Sequence, residues 1–481
     1  MEVGYAERLV DGQFNNAIEG CFCDCYATRA GRQDWQSFHW RAFRYVKLRF
    51  RSCGAPVRVH AVRARCTRYP FEERGRFTSS DDVLNGAYAI SRATLRLCSH
   101  EFIVDTPWRE AAQWTGDVSA VTLPGILSCF GDTVLPSKYF RQSAANMLPN
   151  GLLSNVTNAV PDPLGRVIPD YSLWWVRALW QHFLYTGDAV WLDRMYPQVL
   201  RILQFFADCI DEHGLAGDVP LWVFVDWADV DKRGECAAVN ALLYGTLVDI
   251  RAMAERRGDR ATVSCAESIR AGIGRAFGER LWDAGRGLYA DANVDGRLSE
   301  KVSEHGNMAA IRFGLCDAER AARMIRVLYE ERSARVTEAQ PFFTSVVLQG
   351  LALAGRFDLA LGLVRERWGE RMLARGATST YEEWGINGSW RAGRYKGFMR
   401  TLSHAWSAAP ADFLVRWLAG IEILEPGCAA LRVVPHAADI DYEVVFPTPR
   451  GGVRVTCRGG VVAVAAPEGM RIAREPRDAG V

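Results

Sequence analysis

Three acids, one arginine and two tryptophans fall within thirteen residues of this 481-residue chain, in the stretch Asp105-Thr-Pro-Trp-Arg109-Glu110-Ala-Ala-Gln-Trp114-Thr-Gly116-Asp117. Burial in apolar surroundings, or a neighbouring negative charge, raises a carboxyl pKa and lets the group donate a proton at neutral pH. Glu110, beside Trp114 and among other acids, has the surroundings needed to protonate a leaving glycosidic oxygen. A purely structural account is also open: Asp117 can N-cap a helix beginning at Val118, Thr106 can cap another, and Arg109 can pair with nearby acids. Some 270 residues downstream, Gly376-Ala-Thr-Ser-Thr-Tyr381-Glu382-Glu383-Trp384-Gly385 again sets acids between aromatics in a small-residue loop. If the fold brings the two stretches together, a second carboxylate about 6.5–9.5 Å from the first could activate a water for inverting hydrolysis. Thr401-Leu-Ser403-His404-Ala-Trp406 follows, where His404 can either bond a sugar hydroxyl or serve as a satisfied structural group.

Positioning such groups is the task of the elements between them. Before residue 70, Val46, Leu48 and Phe50 alternate with charged residues, and so do Val57, Val59 and Ala61, which predicts a small β region. After residue 420, Val453-Arg-Val455-Thr-Cys457, the turn Arg458-Gly459-Gly460 and Val461–Val464 predict a hairpin. Between these ends the apolar period is helical, as in Leu173, Val176, Leu179, Trp180, Phe183 and Leu184, or Leu243, Leu247, Ile250 and Met253. About a dozen helices are expected from residue 83 to 418. Six antiparallel pairs in a ring would form an α/α barrel whose loops carry the reactive groups. No repeat of solenoid period is visible.

The same pieces, in this order, resemble glycoside hydrolase family 78, the α-L-rhamnosidases. Phe38-His-Trp-Arg-Ala-Phe43-Arg-Tyr45-Val, Asp105 through Asp117, Asp170-Tyr171-Ser-Leu-Trp174-Trp175, Trp222-Val-Phe-Val-Asp226-Trp227, Ala377 through Trp384, Ser403 through Ser407 and Pro447-Thr-Pro449-Arg-Gly451 are all similar to family segments. The resemblance implies a mainly α fold, a six-hairpin (α/α) barrel with small β-sandwich-type regions at both ends. It implies a partial N-terminal β domain over 1–72, the barrel over 73–420 and a C-terminal β domain over 421–481. It further implies Glu110 as general acid and Glu382 as the base, with Asp105, Arg109, Asp117 and His404 gripping sugar hydroxyls. Trp114, Trp174, Trp222, Trp227 and Trp384, with Asp226, would line the pocket. Three departures stand out: Asp105 to Glu110 is one residue shorter than in many members, Tyr381 stands where tryptophan is common, and Glu383 offers a base one residue away. The upstream β region is too short for the family's usual modules.

Composition narrows the partners. The formal charge is +2, without a run of five like charges, so nucleic acid is not expected. No run of eighteen apolar residues and no signal-peptide pattern at the start appear, so no membrane partner and a cytoplasmic location are expected. Thirteen scattered cysteines fit reduced thiols. Cys21-Phe-Cys23-Asp-Cys25 lacks a fourth ligand at zinc-like spacing, so neither metal nor cofactor is expected. The expected partner is a small molecule or oligosaccharide containing L-rhamnose. The rival readings are another α/α-barrel glycosidase acting on glucosides or uronides, a non-catalytic glycan-binding relative, and a polysaccharide lyase using Tyr171, Tyr381 or His404.

Overall fold

The computed structural model describes residues 1–16, 22–157, 167–332, 335–385, 400–436 and 439–474. Cys21, the first residue of the cysteine cluster, lies outside them; Cys23 and Cys25 sit in a strand. Among the described residues no group of three His, Cys, Asp or Glu could hold a metal ion, no disulfide joins cysteines, and no helix is long and apolar enough to cross a membrane.

Helices dominate from residue 82 to 417, where the apolar period predicts them. Asp81 caps the first, Asp82–Leu97, by accepting from the Val83 and Leu84 amides at 2.9 and 3.0 Å. The 173–184 pattern lies in Pro169–Thr186, opened by proline and closed by left-handed Gly187. The 243–253 pattern lies in Ala237–Arg257, which packs on its sequence neighbour Arg260–Arg280 and on Glu304–Phe313. Glu304–Phe313 in turn packs against Pro341–Leu353.

Three antiparallel strands, Cys23–Cys25, Glu2–Ala6 and Tyr45–Arg49, form an N-terminal sheet. The alternation at Val57, Val59 and Ala61 does not become a strand: these residues lie in an extended, exposed segment, with Val57 48% and Val59 50% accessible. Alternation suits a half-buried strand, but it needs a partner strand and an apolar face to bury against, and none reaches this segment among the described residues.

The predicted C-terminal hairpin forms as Gly451–Arg458 and Val461–Ala465, with Val453, Val455 and Cys457 buried and Arg454 exposed. Its sheet continues through Tyr442–Thr448 to Arg76–Ser79, a strand from the other end of the chain. Phe77, paired with Val444, shares one core with the helices. The chain before the first helix and the chain after the last are thereby hydrogen-bonded to each other, which fixes where the helical region begins and ends.

Candidate active site

Three chain segments that the sequence keeps far apart lie side by side. The Ala405 amide donates to the Asp105 carbonyl at 2.8 Å, the His404 amide to the Thr380 carbonyl at 2.8 Å, and the Glu382 amide to the Thr401 carbonyl at 3.1 Å. Backbone pairing therefore aligns the two acid-bearing loops with the His404 segment between them.

The first loop turns sharply. Ala111, directly after Glu110, holds φ +50°, a left-handed conformation that costs a non-glycine residue energy and that tertiary contacts must maintain. Its amide bonds the Thr106 carbonyl at 3.1 Å, while the Ala112 amide donates to Asp105 Oδ1 at 3.0 Å. Asp117 is not a helix N-cap: the helix starts earlier, at Thr115–Asp117, and runs on through the wide π turn Val118–Thr122. Its carboxylate instead accepts the Tyr171 hydroxyl at 3.0 Å. Gly116 makes this possible, since a Cβ there would collide with the Tyr171 ring. Thr106 caps nothing and donates its hydroxyl to Thr401 Oγ1 at 2.9 Å.

At the centre lies Arg109. One arm of its guanidinium bonds Glu110, and the other bonds both Glu382 oxygens at 2.9 Å. A single planar fork thus spans the two carboxylates and fills the space between them. Glu110 also accepts Trp114 Nε1 at 2.7 Å, and 33% of its side-chain surface remains open; Glu382 is 1% open. The Thr401 amide donates to Glu382 Oε2 at 2.9 Å, and Trp406 Nε1 to the Glu382 carbonyl at 2.9 Å. Glu383 turns to Arg400, whose Nε donates to it at 2.6 Å.

The acid with the raised pKa is not the one the sequence suggests. Burial tends to raise the Glu110 carboxyl, but the Arg109 charge and a hydrogen bond from Asp105 bring it below its ordinary value. Asp105 is pushed well up, by burial first and then by the charge and hydrogen bonding of Glu110. Asp105 Oδ2 has no hydrogen-bond partner among the described residues, so of the two neighbouring acids Asp105 is the one whose ionised form is disfavoured. Burial also pushes the Asp117 carboxyl well above its ordinary value, against the Tyr171 hydrogen bond that lowers it, and depresses His404 well below its usual value. His404 Nε2 lies 3.9 Å from Asp105 Oδ2 and from Asp117 Oδ2, and the ring stacks on Trp406 at 4.2 Å.

Aromatic rings continue outward from this centre. Trp114 meets Tyr171 edge-on at 6.4 Å, Trp174 meets Phe342 at 6.4 Å, and Trp222 and Trp227 both meet Phe224, at 5.9 and 5.0 Å. Phe224 and Phe342 both contact Trp406, at 6.1 and 5.4 Å, and the Arg400 guanidinium sits over Trp227 at 5.3 Å. Two expected sugar contacts face elsewhere. Asp226, fully buried, accepts from the Trp227 amide at 2.8 Å, His305 Nε2 at 2.8 Å and the Gln340 amide at 2.7 Å. Trp384 donates Nε1 to the Ala339 carbonyl at 2.7 Å and packs against Trp368 at 5.0 Å.

Tyr171, Arg400, Thr401 and Trp406 all touch the site groups; sequence reasoning assigned Tyr171 a role only in the lyase reading and assigned none to the other three. Tyr171, Thr401 and Trp406 lie inside motifs the sequence displays; Arg400 lies just before one of them.

The model of the bacterial α-L-rhamnosidase six-hairpin glycosidase domain matches residues 72–418. The chain belongs to that family. The solved structure of a family 78 rhamnosidase from Bacillus sp. GL1 is 27% identical, with a TM-score of 0.88 over 98% of this chain and 50% of that one. An α-L-rhamnosidase of Formosa agariphila is 24% identical over 62% of this chain and 32% of its own length. The Streptomyces avermitilis α-L-rhamnosidase, solved in complex with L-rhamnose, is 19% identical and shares the fold, with a TM-score of 0.72 over 96% of this chain and 44% of that one. The chain thus spans half or less of the length of these relatives.

Proposed function

We infer that this chain carries the catalytic unit of an inverting α-L-rhamnosidase, which removes terminal α-L-rhamnosyl residues from glycosides or oligosaccharides. In finer terms, the helices form a six-hairpin α/α barrel over 73–420, with β-sandwich-type domains over 1–72 and 421–481, acting in a reducing, cytoplasmic setting. One observation carries the catalytic reading: Glu110 and Glu382, 272 positions apart, share the single Arg109 guanidinium. Charge brought together over such a separation, in a site walled by aromatic rings, suits an acid and a base acting across one sugar.

Substrate hydroxyls take over the Arg109 donors and draw its fork away from the carboxylates. Glu110 then loses the charge that kept it ionised and accepts the proton held by Asp105. It delivers that proton to the glycosidic oxygen as the bond to the anomeric carbon breaks. Glu382 takes a proton from a water, whose oxygen bonds the anomeric carbon on the opposite face, so β-L-rhamnose is the first product. The Trp406 and Thr401 bonds to Glu382 keep its carboxylate on the water's side. Glu382 rather than Glu383 suits the base role, because Glu382 shares the Arg109 guanidinium with Glu110, while Glu383 turns to Arg400, which also stands 3.6 Å from Glu382.

Hydrolysis of p-nitrophenyl α-L-rhamnopyranoside, followed by proton NMR, tests sugar identity and stereochemical course together. Glu110→Gln and Glu382→Gln should each lower kcat by about 100-fold or more. A variant keeping more than about a tenth of the rate removes that residue from its role, and α-anomer as first product overturns inversion.

A further inference from the structure

The end of the first strand, Glu2–Ala6, and the two residues after it touch both acid-bearing segments. The Tyr5 carbonyl accepts Trp108 Nε1 at 3.3 Å, next to Arg109; Arg8 bonds the Arg400 carbonyl; and Glu7, between them, is 8% exposed. Glu7 Oε1 accepts the Thr401 hydroxyl at 2.5 Å, and Oε2 accepts the Leu402 amide at 2.7 Å. Thr401 is the residue whose amide holds Glu382 Oε2 and whose carbonyl holds the Glu382 amide. Its hydroxyl also receives the hydroxyl of Thr106, from the acid-bearing loop.

We propose that Glu7 is a positioning residue for the water-activating Glu382, acting through Thr401, so that a residue outside the catalytic domain sets the register between the acid and base loops. The proposal rests on the hydrolase reading above. The matched family domain begins at residue 72, so Glu7 lies beyond it.

The physical argument is one of directed hydrogen bonds. A hydroxyl has a single proton, and Glu7 takes the one on Thr401. With that proton committed, the Thr401 oxygen is left as acceptor toward Thr106, which ties the Asp105–Asp117 loop to the Glu382 loop. Without the Glu7 carboxylate the Thr401 proton turns to the Ser403 carbonyl, already within 3.3 Å, and the hub loses its orientation. Burying a carboxylate is costly, and burial raises Glu7 to about 7, so a charged group at this position opposes folding at alkaline pH. A side chain present only for packing gains nothing from carrying that charge.

Glu7→Gln, Glu7→Ala and Thr401→Val test this against p-nitrophenyl α-L-rhamnopyranoside at pH 8, with thermal unfolding measured on the same samples. Glutamine keeps the shape and one acceptor oxygen but places an amide donor in the pair of positions that received two protons. The expected result for Glu7→Gln is a fall in kcat of about 10- to 100-fold, the scale of a sub-ångström to ångström misplacement, with KM within about threefold and no loss of melting temperature. Thr401→Val should show a similar fall, and the double variant should be no worse than the worse single one. Unchanged kcat in Glu7→Gln, or a fall that only tracks lost melting temperature, overturns the proposal, as does additivity with Thr401→Val. If Glu7→Ala does not fold, Glu7→Gln decides. If the wild type turns over no rhamnoside, the hydrolase reading fails separately, and a crystal structure of Glu7→Gln still decides this one: Glu382 must leave the Thr401 amide.

Discussion

Two carboxylates on one guanidinium make Arg109 the residue on which ionisation of the site turns. Its charge holds the Glu110 carboxyl down while burial and the Glu110 charge push the neighbouring Asp105 up, so Asp105 is the acid of the pair that favours its protonated form. The alkaline limb of kcat/KM therefore reports loss of that proton. In Asp105→Asn the side chain can no longer store a proton, and Glu110 titrates without an acidic neighbour at that position. The limb should move to lower pH by about one unit or more, measurable in a kcat/KM profile on the aryl rhamnoside; a limb that stays in place would show that Asp105 does not hold the proton. Residue types at Asp105, Arg109, Glu110 and Glu382 were legible from the text alone because acids between tryptophans are unusual. Which acid carries the proton was not, since that depends on an arginine from the same loop swinging back between two acids 272 positions apart.

Loops and helix starts set how those side chains meet. The left-handed Ala111 turn aims Glu110 at Arg109, and the helix beginning at Thr115 carries Asp117 to Tyr171. Gly116→Ala would drive a methyl into the Tyr171 ring. It should cost about 1–3 kcal/mol in denaturant unfolding, and it should weaken sugar binding by displacing Asp117. The helices at Pro169–Thr186 and Ala237–Arg257 and the C-terminal hairpin follow directly from apolar spacing, because periods of 3.6 and 2 are written in the order of residues. Side-chain direction is not written there. Asp226 sits in a motif with Trp222 and Trp227, yet its oxygens serve His305, 79 positions on, and two amides. The exposed Val57–Val59 segment shows the converse: alternation without a neighbouring strand.

At the scale of the whole molecule, the helical region is held from both ends. Arg76–Ser79 pairs with Tyr442–Thr448, and Glu7 and Arg8, just past the first strand, reach the segment from Arg400 to Leu402. Such pairings lie beyond sequence reasoning, since partners are separated by more than 360 positions. Glu7 gives them a pH signature. Its folded pKa of about 7 exceeds its ordinary 4.5, so its favourable contribution is complete below about 4.5 and is lost as pH rises through about 7. Relative to Glu7→Gln, the wild type should lose about 3 kcal/mol of stability between pH 4.5 and 8, read from paired denaturant titrations; parallel curves would contradict the burial of that charge.

The grouping around Arg109 also has a sign. Glu110 and Glu382 share the one Arg109 guanidinium, burial pushes the Asp105 and Asp117 carboxyls up and the His404 ring down, and Arg400 lies between Glu383 and Glu382. Two acids thus lean on one shared cation, which leaves the grouping short of positive charge. A ring that becomes positive as its exocyclic bond stretches makes up that deficit, whereas the resting glycoside does not. On the proposed hydrolase reading, the discrimination between them is built into the resting site before any substrate arrives.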